Sequence, residues 1–380
     1  MIKGVIIDLD GTLVDSKEGL FTHYLDFLRA FGKRGSREEF NTLNLPLTEV
    51  IKTLQEKYDL KGHDLLSRYV EGLPKIPPLR EGVLDFFHFA KLNRLKLALS
   101  TSASLNYLEP ILKHYELTFD AIIPESKDKF LDGLSALKLE KEEVLQIDDD
   151  IMDPDWHKLI KKILSINYQT LYRGDHLKIE IVPLPLSLRL SDREKAQADE
   201  IWAEAVKENP HLFNGKILQF IAIEKGTLFG AFAEYKHFLA KFRGLPLNLT
   251  AVCLSGITTY HNELIIAKRA STVSQYQEAY ELVPAGSFDD SSLSWEANII
   301  KELEEEASIK PDQIAKLTLH SVVFDKRDDI VEIVAKIELN RLEFSPTHET
   351  SEVRILNPND AKKDFVPFSH YLLVDVAKTL

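Results

Sequence analysis

The chain holds 380 residues, 44% of them apolar and 28% charged, and carries a formal net charge of −13. That length exceeds what one hydrophobic core usually organises, so two domains are expected. The negative field repels polyanions and no basic patch interrupts it, which excludes nucleic acid as an expected partner. Cys253 is the single cysteine, so no disulfide can close within the chain and a cysteine-based metal site is excluded; this fits a reducing compartment. Met1-Ile2-Lys3-Gly4 runs straight towards an aspartate-bearing strand, without a signal-peptide pattern. No apolar run reaches the roughly 18 to 20 residues needed to cross a bilayer. A cytoplasmic protein without a membrane partner is expected; the oligomeric state is not legible.

The apolar run at residues 2–7 suits a buried parallel strand. Residues 17–73 read as largely helical, with Leu20, Tyr24, Phe27, Leu28 and Phe31 at helical spacing. Pro77-Pro78 breaks this pattern. A helix is expected over 82–92, a buried strand from Leu95 to Ser100, a helix over 105–115, a short strand over Ala121-Ile122-Ile123, a helix over 129–138 and a strand over 144–147. Alternation of this kind indicates a parallel α/β sheet. The stretch from Pro154 to Tyr172 can add a helix and a strand, giving a first domain over 1–175. Gly174, Pro183 and Pro185 mark a linker at 176–190.

The second domain, 191–380, opens with Ser191 and Glu194, spaced as a capping box for a helix over 192 to about 207. Asn209-Pro210 ends it. Residues 216–223 and 250–258 read as strands, and His261-Asn262 lies between two apolar runs as a hairpin turn does. A helix over 294–308, strands near 318–324 and 330–339, and a last helix over 368–378 complete an α+β pattern.

Asp8-Leu9-Asp10-Gly11-Thr12 follows the first strand. Strand-end geometry aims both carboxylates into a cleft at the carboxyl edge of the sheet, where open α/β folds place their sites. One carboxylate can attack phosphorus; the other can protonate the leaving group and then activate water. Gly11 lets the chain turn away at once. This string resembles the first motif of the haloacid dehalogenase superfamily. The resemblance implies Asp8 as nucleophile and Asp10 as acid and base, with Gly11 and Thr12 at the substrate. It places Thr101 of Leu97-Ala98-Leu99-Ser100-Thr101-Ser102 at the phosphate-binding hydroxyl, with Ser102 beside it. It requires a lysine near Ser126-Lys127-Asp128-Lys129, where Lys127 is preferred over Lys129. It implies Mg²⁺ held by Asp8, Asp10, Asp149 and Asp153, with Asp148 standing where glycine is usual. Residues 16–78 would form a helical cap. Together with Pro78-Leu79-Arg80-Glu81-Gly82-Val83, this is similar to phosphoglycolate-phosphatase-like and β-phosphoglucomutase-like members.

In the second half, Glu302, Glu305 and Glu306 stand at i, i+3 and i+4 of a helix, on one face. Three carboxylates there can hold a hard divalent cation against a pyrophosphate. The segment resembles a Nudix box, with Ser287 at the box glycine, Leu293 at the early glutamate, Lys301 at the arginine and Ser308 at the late glycine. The resemblance implies Glu302, Glu305 and Glu306 as metal ligands and Gly286 at the substrate. Ile201-Trp202, Asn209-Pro210-His211-Leu212-Phe213-Asn214-Gly215, Tyr235-Lys236-His237-Phe238-Leu239 and His348-Glu349 are similar to Nudix-like hydrolases of nucleotide sugars. Either Glu349 or Glu352 could supply a base or a further metal ligand, though a surface role is preferred for each, and His114, His157, His176 and His320 show no ligand spacing.

The fold expected is α/β, a Rossmann-like parallel sheet with a helical cap, followed by an α+β Nudix-like sandwich. The function expected is a bifunctional Mg²⁺-dependent hydrolase. One domain would remove phosphate from a small phosphorylated metabolite, and the other would cut the pyrophosphate of a nucleotide derivative. A non-catalytic, nucleotide-binding second domain and a phosphomutase are the alternatives.

Overall fold

The computed structural model describes residues 1–43, 45–62, 64–73, 76–149, 155–210, 212–271, 276–289, 294–347, 350–357 and 365–376. The chain divides into two compact units, Met1–Ile163 and Leu164–Leu380.

The first unit runs β1 (Gly4–Ile7), α1 (Lys17–Ala30), α2 (Arg37–Asn41), α3 (Leu47–Tyr58), α4 (Leu65–Glu71), α5 (Val83–Leu92), β2 (Lys96–Ser100), α6 (Leu105–His114), β3 (Ala121–Ile123), α7 (Lys129–Leu137), β4 (Val144–Ile147) and α8 (Trp156–Asn167), which reaches across the division. The strands form a parallel sheet in the order β3-β2-β1-β4. β1 is central, and all four of its residues are buried, which explains its unbroken apolar run: helices cover both faces of a parallel sheet. On one face α7 approaches so closely that a Cβ on Gly133 would lie 2.8 Å from Ile6 Cγ1. A glycine inside a helix is unfavourable by propensity, and here close helix–strand packing requires it. Helices α1–α4 build their own core from Tyr24, Phe27, Leu28, Val50, Ile51, Leu54, Leu65 and Tyr69. The apolar spacing at 20–31 thus serves a separate helical layer.

The second unit runs β5 (Tyr168–Tyr172), β6 (Lys178–Ile181), α9 (Asp192–Glu208), β7 (Lys216–Glu224), β8 (Thr227–Glu234), α10 (Tyr235–Phe242), β9 (Ala251–Tyr260), β10 (Glu263–Arg269), β11 (Tyr280–Leu282), β12 (Ala285–Ser287), α11 (Trp295–Ala307), β13 (Ile314–Asp325), β14 (Ile330–Leu339), β15 (Thr350–Leu356) and α12 (Pro367–Val376). One mixed sheet follows the path β5-β13-β14-β9-β7-β8-β6, with β10 joining β9, β11 and β15. β14 and β9 are parallel. Neighbouring residues of β9 enter different cores. Val252 and Leu254 pack with Trp295, Ile299 and Leu303 of α11. Ala251 and Cys253 pack with Ala198 of α9 and Phe238 of α10. Because side chains alternate along a strand, the two cores lie on opposite faces, and the sheet is sandwiched between helices. This is the α+β sandwich expected.

The capping box forms as expected: Glu194 N–H donates to Ser191 Oγ at 3.3 Å, and the Ser191 N–H donates to Glu194 Oε2 at 2.7 Å. His261 and Asn262 take left-handed φ of 49° and 65° in the β9–β10 turn, the conformation a tight hairpin demands.

The domain boundary differs from expectation. β5 pairs with β13 and β6 with β8, so residues 164–175 and most of the expected linker belong to the second sheet, and the boundary moves from 175 to 163. Gly174, Pro183 and Pro185 punctuate edge strands instead of separating domains. Among the described residues, no helix is long and apolar enough to cross a membrane.

Candidate functional site

The carboxyl edge of the first sheet gathers the acidic residues. Asp8 follows β1, is 5% exposed, and donates its N–H to Ile147 O at 3.1 Å. The chain then turns: Gly11 has φ +79°, and a Cβ there would lie 2.3 Å from Asp149 Oδ2. Glycine is required both by the backbone and by that approach. Thr12 is fully buried, and its Oγ1 accepts the Asp149 N–H at 2.8 Å. Gly11 and Thr12 therefore shape the loop and hold the segment after β4 in place. Arg80, where the chain returns from the helical layer, donates from Nη1 to Gly11 O at 2.9 Å. Asp15 N–H donates to Pro78 O at 2.8 Å. The outgoing and returning segments are thus laced together beside Asp8.

Lys129, not Lys127, reaches the acids. Its Nζ lies 2.9 Å from Asp8 Oδ2 and 3.1 Å from Asp148 Oδ2, and its side chain is 12% exposed. Lys127 is 73% exposed and pairs with Glu49 at 2.5 Å. The cause is local: Asp128 caps α7 by accepting the Leu131 N–H at 3.0 Å, so Lys129 opens the helix facing the site while Lys127 precedes the cap and points away.

Asp8, Asp148 and Asp149 each offer a carboxylate oxygen within 4.8 Å of the others, the one such group of metal-ligating side chains among the described residues. Asp148 is 4% exposed. It was read only as a departure from a turn glycine; the signal available was its place in a run of three acids. Asp8 Oδ1 and Asp149 Oδ1 are buried without a hydrogen-bond partner. Buried anionic oxygens of this kind are costly unless a cation meets them, so the donor set fits a hard divalent ion. Asp153 lies outside the described residues. Asp10 stands apart from the trio, its Oδ1 accepting from Ser16 Oγ at 2.5 Å and from Tyr107 OH at 3.2 Å. Sequence reasoning missed both donors, because each depends on the fold bringing a separate segment to the loop.

Burial pushes the Asp8 carboxyl up to about 7; Lys129 opposes the rise and Asp148 adds to it. Burial also raises Asp10, against the pull of Ser16 and Tyr107. Thr101 is 1% exposed and its Oγ1 accepts the Ala103 N–H at 3.2 Å, while Ser102 lines the adjoining cavity. That cavity, of about 520 Å³, reaches from Asp8, Asp10 and Asp149 to Leu20, Phe40 and Leu47 in the helical layer.

The second unit's glutamates are arranged differently. Glu306 is 3% exposed, and its Oε2 accepts the Ala285 N–H at 2.9 Å. Glu302 packs on Gly286, where a Cβ would lie 2.2 Å from Glu302 Oε2. Glu305 is exposed. Their carboxylates do not form a three-ligand group among the described residues, and Glu306 anchors β12. The Glu302 carboxylate lies against Gly286. Lys301 Nζ donates to both oxygens of Asp289 at 3.2 and 3.3 Å. Ser308 caps α11 with φ 58°, the left-handed conformation that explains a glycine at that box position. Glu352 accepts from Tyr280 OH at 3.4 Å. Leu293, His348 and Glu349 lie outside the described residues. His320 is partnered with Asp375 at 3.2 Å.

A parallel α/β sheet with a buried carboxylate, a lysine and an acidic trio at its carboxyl edge defines the first unit as a hydrolase of phosphatase type. Residues 5–155 match the haloacid dehalogenase-like hydrolase family. Among solved structures, the chain is similar to CbbY from Rhodobacter sphaeroides in complex with phosphate (20% identity, 38% of this chain and 77% of that one, TM-score 0.32). It is also similar to the Nudix hydrolase RenU from M. smegmatis (13% identity, 34% and 84%, TM-score 0.28). A third similarity is to the NUDIX domain of Shewanella oneidensis NrtR complexed with ADP ribose (14% identity, 37% and 96%, TM-score 0.30). The comparison with curated proteins finds no match.

Proposed function

We propose that the first unit is a divalent-metal-dependent phosphomonoesterase that works through an aspartyl-phosphate on Asp8. The observation that carries this reading is the pairing of Asp8 with Lys129 at 2.9 Å beside a buried, partnerless Asp8 Oδ1. The Asp8 carboxylate attacks phosphorus and the leaving-group oxygen departs with a proton from Asp10, whose orientation Ser16 and Tyr107 fix. Asp10 then takes a proton from water as the water attacks the phosphoryl-enzyme, and inorganic phosphate leaves. Lys129 offsets charge between nucleophile and phosphoryl oxygens. Asp8, Asp148 and Asp149 would hold Mg²⁺, which supplies further charge neutralisation at the phosphoryl oxygens. Asp153 is a further candidate ligand, and Thr101 and Ser102 are the candidate phosphate-binding hydroxyls. Phosphate release from phosphomonoesters with Mg²⁺ tests the reading: the parent turns over and Asp8→Asn does not. Equal turnover by the two proteins would refute it.

For the second unit, the anchoring of Glu306 to the Ala285 amide and the exposure of Glu305 favour nucleotide binding without hydrolysis over pyrophosphate cleavage. Incubation with ADP-ribose and UDP-glucose separates the two. The binding reading expects intact nucleotide and a calorimetric binding signal. Cleavage that Glu305→Gln/Glu306→Gln abolishes would restore the bifunctional reading.

A further inference from the structure

The cavity above Asp8 has walls of two kinds. Its floor is polar: Asp8, Asp10, Asp149, Ser102 and Tyr107. Its upper wall, contributed by the helical layer and its loops, carries Leu20, Phe40, Leu43, Leu45, Leu47 and Leu73. Two of the charged groups on that side, Arg37 and Glu18, are matched to each other. Arg37 donates from Nη2 to Glu18 Oε2 at 2.5 Å and lies flat over the Phe21 ring, 3.6 Å from its centroid. Lys17 pairs with Asp149 at 2.5 Å. Asn41, Tyr69 and Ser104 are the further uncharged polar residues of the lining. A sugar placed here would turn several hydroxyls towards leucine and phenylalanine side chains, and each hydroxyl left unpaired opposes binding. An alkyl or aryl group placed here would lose water from both surfaces, which favours binding. Leu45 is 38% exposed, an apolar side chain left open at the cavity edge for a ligand to cover.

Resting on the phosphatase reading above, we infer that the first unit selects phosphomonoesters whose alcohol portion is an apolar alkyl or aryl group. The phosphoryl group sits on the polar floor at Asp8, and the hydrocarbon lies along the leucine wall. The bond broken is the same P–O bond; the alcohol leaves with the proton from Asp10, and water supplies the oxygen of the phosphate released. Selectivity comes from apolar contact made along the length of the leaving group.

The experiment is a series of primary alkyl phosphates from ethyl to octyl, assayed as phosphate release by the full chain with Mg²⁺. Glycerol 1-phosphate and glucose 6-phosphate are run alongside. The alkyl alcohols have nearly equal leaving ability, so differences report binding along the wall. The expected result is a rise in kcat/KM of about threefold per methylene over part of the series, with hexyl phosphate at least tenfold above both polyol phosphates. Leu45→Gln and, independently, Leu43→Gln are expected to reduce that slope by half or more; two positions guard against one variant that fails to fold. A flat series, or polyol phosphates turned over faster than hexyl phosphate, would overturn the inference while leaving the phosphatase reading standing. Absence of Asp8-dependent phosphate release from every compound would overturn both.

Discussion

Removing one ammonium group discriminates most sharply between the two lysines near the site. Lys129 Nζ sits 2.9 Å from Asp8 and 3.1 Å from Asp148, with 12% of its side chain exposed. Unit charges about 3 Å apart at an effective dielectric near 20 interact by about 5 to 6 kcal/mol. Part of this is already present before the substrate binds, so only a fraction contributes to the barrier; about 3 kcal/mol is a reasonable share, or about 10²-fold in kcat. Lys129→Met should therefore lower kcat for a phosphomonoester by about 10² to 10³. Lys127 is 73% exposed, and its partner Glu49 is 40% exposed, so that ion pair contributes at most about 1 kcal/mol to stability. Lys127→Met should leave kcat within about twofold. Both variants would be assayed for phosphate release at saturating Mg²⁺, with circular dichroism as the check on folding. Equal losses in the two variants, or a larger loss at Lys127, would refute the assignment and the capping argument behind it.

Two further outcomes follow from the same geometry. Burial raises the Asp8 carboxyl from 3.8 to about 7, so between those values the native state binds more protons than the unfolded chain. Stability of the metal-free protein should therefore fall as pH rises from about 4 to about 7, by at most about 4 kcal/mol. Calorimetry should show this slope reduced in Asp8→Asn, and an unchanged slope would contradict it. Gly133→Val introduces a branched side chain where even a Cβ would lie 2.8 Å from Ile6, and should destabilise the first unit by about 2 to 3 kcal/mol, read as a lower first-unit Tm.

Much of the first unit was legible because its signals are local. A short apolar run followed by Asp8, Asp10 and Gly11 specifies a buried strand and a sharp turn without any knowledge of neighbours. The Ser191–Glu194 box and the His261-Asn262 turn were equally legible, since capping and hairpin geometry involve residues a few positions apart. β8 was missed, β5 was placed in the first domain, and β6 was read as linker. Their partners, β13 for β5 and β8 for β6, lie elsewhere in the chain, and an edge strand flanked by glycine and proline looks like a linker until its ladder is seen.

The sequence by itself determined the alternation of strand and helix, the carboxylate pair at the end of β1 and the shared helix face of Glu302, Glu305 and Glu306. Each is set by backbone periodicity or by adjacent residues. Tertiary structure alone decided which lysine meets Asp8, that Asp148 joins the acidic trio, that Tyr107 and Ser16 hold Asp10, and that Glu306 is bound to a strand amide. Those outcomes depend on which segments pack together, and helical or strand spacing places a side chain on a face without saying what that face will meet. The leucine wall over Asp8 has the same origin: Leu20, Leu45 and Leu73 come from separate segments of the helical layer, and only its packing brings them to one cavity.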